Sequence, residues 1–192
     1  SVVGNGVPGS CFSVTSDYGP INDPMSERWK CLPTGADLYI IFGGTNDYGH
    51  GSVLGDSSDT TDVSFYGAMH LTGLQAATPE AKLVFMTPLS RYGFGETANG
   101  TKLLYDTTPN EHGHTLADYR EAIQIKCAEF GIEVIDTYEI SGFDFSAGQD
   151  GVNPFNGNMM GKSPYTVDGL HPNTEGHLKL AGKILPYIAK VI

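Results

Sequence analysis

The sequence predicts an α/β fold on a mainly parallel sheet, and three observations carry that prediction. Short continuous apolar runs occur at Asp37-Leu38-Tyr39-Ile40-Ile41-Phe42, Lys82-Leu83-Val84-Phe85-Met86 and Ile132-Glu133-Val134-Ile135-Asp136. Such runs suit strands covered on both faces, where a half-exposed strand would alternate. Segments with helical periodicity lie between and after them, and strands alternating with helices build parallel sheets. Glycine or proline punctuates the junctions, at Gly43-Gly44, Pro79, Thr87-Pro88 and Gly131.

Taken in order, the first run ends in Gly43-Gly44. Residues 62–77 read as a helix, with Phe65, Met69, Leu71 and Leu74 near one side and Pro79 closing it. After the second run, residues 115–130 give the clearest helix. There Leu116, Tyr119, Ile123, Cys127 and Phe130 recur at three and four residues, and Gly131 is a natural C-terminal cap. The third run follows, then a final amphipathic helix over residues 174–191 with Leu178, Leu180, Ala181, Ile184, Leu185 and Ile188 as its apolar set. In such sheets ligands bind beyond the carboxyl ends of the strands. That rule points to residues 43–50 and to two long loops, 88–113 and 137–167. Long loops in compact domains are usually functional. Both are rich in Gly, Asn and Tyr, which suits a polar or sugar-like ligand.

At 192 residues, without repeat, linker or low-complexity tract, the chain reads as one domain over 1–192. The formal net charge of -11 excludes nucleic acid and anionic membrane surfaces as partners, since both would repel it. No apolar run approaches the length of a membrane span. Cys11, Cys31 and Cys127 lack metal-ligand spacing and leave two readings open, a Cys11–Cys31 bridge or buried free thiols. Few basic residues and abundant Gly, Thr, Asn and Tyr resemble the composition of an exported bacterial enzyme. The opening Ser1-Val2-Val3 is read as a point where a leader, or something larger, has been removed.

Two motifs carry chemistry. In Asp168-Gly169-Leu170-His171-Pro172-Asn173 the carboxylate can fold back onto the imidazole Nδ1, fixing the tautomer and supporting the imidazolium formed when Nε2 takes a proton. The bland reading is a turn before the last helix, with His171 merely exposed. In Gly43-Gly44-Thr45-Asn46-Asp47, directly after a strand, the Asn46 amide can donate to an oxyanion developing on a substrate carbonyl, worth typically ~3 kcal/mol. Its bland reading is a turn that exploits the tolerance of Gly and Asn for positive φ. His112-Gly113-His114 has only generic metal-ligand spacing, and His177 is expected on the surface. Arg91 sits at the correct sheet edge either to touch a substrate or to act as a solvated anchor. Trp29 and the tyrosines would line a sugar site or pack the core and rim.

Together the two motifs resemble the third and fifth signature blocks of the SGNH hydrolases, also called GDSL esterases/lipases. Val2-Val3-Gly4-Asn5-Gly6-Val7-Pro8-Gly9-Ser10 resembles the second block, a strand followed by a glycine-bearing turn. The resemblance implies a flavodoxin-like three-layer sandwich with a doubly wound sheet and an ester hydrolase that needs no metal or organic cofactor. It further implies that His171 and Asp168 activate a serine, and that Asn46 and the backbone N–H of Gly9 (or, in the other alignment, Gly6) form the oxyanion hole. The substrate class would be an ester or acetyl group, including one on a carbohydrate.

The family's first block, a strand ending in Gly-Asp-Ser, should precede the second block, and nothing precedes it here. Leu54-Gly55-Asp56-Ser57 contains the tripeptide but follows the third block, so Ser57 is read as a loop residue and not as the nucleophile. Without the first block the strands expected at Val2–Val3 and 38–42 would each expose an edge, a liability that proteins avoid. Three explanations follow: a longer protein of which these residues are the carboxyl-terminal part, a strand donated by a neighbour, or a silent remnant. The first is preferred. The rival function is a non-catalytic glycan- or ligand-binding module on the same scaffold.

Overall fold

The strands β1 (Leu38–Phe42), β2 (Lys82–Met86) and β3 (Glu133–Ile135) form a parallel sheet in that order. Ile40 pairs with Val84 and Val84 with Glu133, so the three run in step. The computed structural model describes residues 1–14, 24–33, 35–69, 71–92, 106–143, 145, 151–152, 159–160 and 163–192. Around the sheet lie α1 (Met25–Arg28), a 3-10 turn at Trp29–Cys31, α2 (Thr45–Gly49), α3 (Phe65–Ala68) and α4 (Leu71–Ala77), all before β2 or flanking β1. Then come α5 (Leu116–Glu129), α6 (Thr137–Ile140), a two-stranded antiparallel pair β4 (Gly151–Val152) and β5 (Met159–Met160), and α7 (Thr174–Val191).

Alternation along β2 shows why both faces must be covered. Phe85 packs with Phe12, Tyr48, Phe65, Leu116, Tyr119 and Ile123, the layer built from α2, α3 and α5. Its neighbours Val84 and Met86 pack with Ile135, Leu180, Ile184 and Ile188 on the α7 side. Helices on both faces of a parallel sheet make the α/β fold that the sequence pattern predicts, in the flavodoxin-like, doubly wound form that the resemblance implies. The α5 stripe is buried as expected at Leu116, Tyr119, Ile123 and Cys127. The Asp118 carboxylate accepts from the Thr115 N–H at the start of that helix (2.6 Å).

Several details depart from the expectation. The helix predicted over residues 62–77 is two short ones, α3 and α4. Gly67 and Gly73 weaken a continuous helix by about 1 kcal/mol each. Ser64 instead caps α3, accepting from the Gly67 N–H. No strand forms at Val2–Val3, which are 100% and 68% exposed; a strand needs a partner to pair with, and none of the described residues supplies one there. On α7, Leu180, Ile184 and Ile188 pack onto the sheet, while Leu178 and Leu185 from the predicted apolar set stay exposed. The helix therefore carries two apolar stripes and buries one. β1 forms an edge of the described sheet, with Ile40 and Phe42 exposed. Cys31 and Cys127 are free thiols, so the bridge between Cys11 and Cys31 is not formed. Much of the two long loops (93–105, 146–150, 153–158 and 161–162) lies outside the described residues. The sugar-suited reading of those loops rests there. No helix among the described residues is long and apolar enough to cross a membrane.

Candidate active site

The site starts where β1 ends. Gly43 lies against the Phe12 ring, where an added Cβ would come within 2.7 Å, and Gly44 takes φ +99° beside Pro88 and Phe65. Only glycine accommodates both that packing and that backbone. The chain turns at once into α2, so Asn46 is held in a short helix and not in the open turn that its glycines suggest. Its Nδ2 donates to the Ser10 carbonyl (3.0 Å). An amide NH2 carries two N–H donors. The bond to Ser10 uses one of them and orients the group.

Ser10 belongs to a turn closed by its own N–H onto the Val7 carbonyl (3.3 Å). Pro8 and Gly9 (φ +76°) occupy its two central positions, the proline–glycine order of a type II turn. Of the two glycines left open by sequence, Gly9 is therefore the one set in the turn beside Asn46, while Gly6 is exposed outside it. No atom lies within 4 Å of where a Gly9 Cβ would stand, so a substitution there meets backbone strain alone. Gly9→Ala is expected to cost about 1–2 kcal/mol, read as a lowered Tm.

The turn is anchored by Asp47, which is fully buried. Its carboxylate accepts from the Phe12 N–H (2.9 Å), the Ser13 N–H (3.0 Å) and the Ser13 hydroxyl (2.9 Å). Burial raises its carboxyl above the ordinary value, against the opposing pull of these bonds. Asn46 and Asp47 thus grip successive parts of one segment: Asn46 orients on it, and Asp47 fixes it.

The Asp168–His171 pair sits in the loop before α7. Gly169 adopts φ +82°, and this lets the chain fold back so that Asp168 Oδ1 accepts from the N–H groups of Leu170 (3.0 Å) and His171 (2.7 Å). Asp168 Oδ2 meets His171 Nδ1 at 2.6 Å. Val167 N–H donates to the His171 carbonyl (2.9 Å) and Asn173 caps α7, so the loop is closed at both ends. Asp168 is buried while the His171 side chain is 60% exposed. A histidine with a buried carboxylate on one nitrogen and an open ring has the form of a general base. Burial works to raise the Asp168 carboxyl, but the His171 ring, with the His171 and Leu170 N–H groups, outweighs it and holds the group below its ordinary value. A lowered carboxyl contributes stability above the unfolded value of about 4, and that contribution is lost as pH falls through the folded value. Thermal unfolding should therefore show stability declining below about pH 4, with a shallower decline in Asp168→Asn.

Arg91 neither touches solvent nor serves as a solvated anchor; it is 3% exposed. Burial pushes its guanidinium down to about 10, with Tyr48, Asp168 and Asp106 opposing, so it stays charged at neutral pH. His50, just after α2, is half-buried, and burial together with Arg91 lowers its imidazole. Ser57 is exposed in a turn, and its carbonyl accepts from Lys126 Nζ (2.8 Å). Lys126 is in the last turn of α5, about 15 Å along the axis from Leu116 and beside the amino end of β3. That places Ser57 at the opposite edge of the sheet from His171. Trp29 lies against Gly73 of α4. His112 and His114 neighbour Glu111 and Asp118, His177 is exposed, and no metal-sized cluster of three ligands occurs among the described residues.

The model of the GDSL-like lipase/acylhydrolase family matches residues 1–179. The chain belongs to that family. A hydrolase fold and hydrolase family membership follow. No curated protein matches the chain. One solved structure, 30% identical, superposes with a TM-score of 0.75 over 95% of this chain and 76% of its own. A protein from Lactobacillus plantarum, also 30% identical, does so with 0.73 over 96% of this chain and 78% of its own. A possible lipase from Chitinophaga pinensis, 23% identical, reaches 0.63 over 86% of this chain and 77% of its own, and at that identity shows the fold alone.

Within this GDSL-like chain, the structure brings Asn46 to the Gly9 turn and Asp168 to His171, both at the carboxyl side of the sheet. From sequence, Asp47 has no task within its motif, and Arg91 stays open between a substrate contact and a solvated anchor. A carboxylate directly after Asn46 was a usable signal, because an acidic residue among glycines at a strand end is seldom buried without partners.

Proposed function

We propose that this protein is a serine ester hydrolase in which His171 is the general base and then acid, Asp168 orients it, and Asn46 with the Gly9 N–H stabilises the oxyanion. The observation that carries the reading is the 2.6 Å contact between buried Asp168 and the exposed His171 ring, on the same sheet edge as Asn46. In the acylation step a serine Oγ attacks the ester carbonyl carbon and its proton passes to His171 Nε2. The carbonyl oxygen becomes an oxyanion between Asn46 Nδ2–H and the Gly9 N–H. Collapse of the tetrahedral intermediate breaks the carbonyl–alkoxy bond, and His171 Nε2–H protonates the departing alcohol. Water repeats the sequence on the acyl-enzyme.

The nucleophile in this reading is a serine outside residues 1–192, on a strand beside β1. The open β1 edge, with Ile40 and Phe42 exposed, supports that placement, since a parallel neighbour would end next to Asn46. The polar composition of the 88–113 and 137–167 loops favours an acyl group on a carbohydrate, and the overall composition favours export from a bacterial cell. Hydrolysis of a short-chain p-nitrophenyl ester by the full-length protein tests the reading. Turnover that disappears in His171→Ala supports it; no turnover in the wild type points to the rival, a glycan-binding module without catalysis.

A further inference from the structure

We propose that Arg91 is a positioning residue that sets the oxyanion asparagine relative to the Asp168–His171 pair. The proposal rests on the ester-hydrolase reading above and deepens it.

Arg91 and Tyr92 lie between the two halves of the site and bond to both. From the Arg91 side chain, Nη1 donates to the Thr45 carbonyl (3.1 Å) and to the Thr45 hydroxyl (3.1 Å), the residue immediately before Asn46. The guanidinium carbon stands 5.6 Å from the centre of the Tyr48 ring, in range for a cation–π contact. On the next turn of α2, a Cβ at Gly49 would come within 3.2 Å of the same Nη1. One guanidinium therefore packs against Thr45, Tyr48 and Gly49, which together make up most of the helix that carries Asn46. From the adjoining residue, the Tyr92 N–H donates to the Gly169 carbonyl (2.9 Å), inside the turn whose ends are Asp168 and His171. The Arg91 carbonyl in turn accepts from the Asp106 N–H (3.2 Å), which ties this two-residue brace to the segment that starts α5.

α2 is only five residues long and its N-cap, Gly44, has no side chain to cap it, so the helix cannot hold its own orientation. It is fixed from outside: Asp47 holds it to Phe12 and Ser13, just after the Gly9 turn, and Arg91 holds it to the segment whose Tyr92 bonds the His171 loop. A planar guanidinium suits this, because it can donate to two oxygens of one residue while lying over a ring. Arg91 acts on the oxyanion site through Thr45, the residue before Asn46.

The test uses the full-length protein with Arg91→Met, Arg91→Lys and Thr45→Val, and His171→Ala as the control for the function itself. A misplacement of about 1 Å costs roughly a hundredfold in rate. Arg91→Met should lower kcat by about that factor while KM stays within about threefold. Arg91→Lys should recover at least about tenfold of it, because its ammonium keeps a donor for the Thr45 carbonyl. The second readout needs no turnover: the Asn46 side-chain amide resonances, assigned with Asn46→Ala. They should move toward the free-amide position in Arg91→Met, move less in Thr45→Val, and remain near wild type in Arg91→Lys. A folded Arg91→Met with unchanged Asn46 resonances overturns the proposal, as does a loss that lysine does not relieve. If Arg91→Met does not fold, Thr45→Val decides on the same resonances. Turnover that survives in His171→Ala overturns the hydrolase reading instead, and the resonances still judge Arg91.

Discussion

His171→Ala should lower kcat for short-chain ester hydrolysis by about 10⁴-fold or more, with thermal stability near that of the wild type. The size of the loss follows from the proposed role: without an imidazole nothing would take the serine proton, and only the proposed oxyanion donors and substrate binding would remain. The small stability change follows from exposure, since 60% of the His171 side chain is in solvent and its loss leaves no cavity. Asn46→Ala should cost less, about 10²–10³-fold in kcat, because in the proposed mechanism it removes one of two oxyanion donors. Asp168→Asn should fall near the histidine variant in rate, since an amide no longer fixes the Nδ1–H tautomer. It should also cost stability, because its carboxylate takes two backbone N–H groups and the ring. Rates on a p-nitrophenyl ester and melting curves on the same samples separate these outcomes. Loss of activity without loss of stability marks His171, and loss of both marks Asp168.

The second large effect is expected at Asp47. Asp47→Ala should destabilise the fold by about 2–4 kcal/mol, since it strands the buried N–H groups of Phe12 and Ser13 together with the Ser13 hydroxyl. For a chain of this length that is a fall in Tm of about 6–12 °C. Asp47→Asn should restore little, because its NH2 would point donors at donors where both carboxylate oxygens now accept from the Phe12 N–H. Activity should fall more steeply than stability explains, as the same segment carries the Gly9–Ser10 turn on which Asn46 is oriented. Melting temperature and kcat measured well below the new Tm distinguish this from simple unfolding.

The large elements were legible because their signal is local. The apolar runs at 38–42 and 82–86 became β1 and β2 with those bounds, and the Leu116–Tyr119–Ile123–Cys127 stripe became the buried face of α5. Asp168 and His171 were readable as a pair because they stand three positions apart with a glycine between them. What escaped depends on partners distant in sequence. Val2–Val3 has strand composition, but a strand exists only against another strand. The α7 apolar set could not show that Leu178 and Leu185 would stay outside, because a helix does not encode which of two stripes meets the sheet. Arg91 stayed open between a substrate contact and a solvated anchor because its partners, Thr45 and Tyr48, lie more than forty residues upstream. Asn46 was read at a strand end, with a turn as the bland alternative; it lies there in a short helix that Asp47 and Arg91 hold.

The most direct measurement of the central claim is labelling of the full-length protein with a fluorophosphonate probe, followed by intact mass and peptide mapping, in wild type and in His171→Ala. The mechanism predicts one adduct per chain, on a serine outside residues 1–192, and none in the histidine variant. No adduct on the wild-type protein, or equal labelling of both, would contradict it.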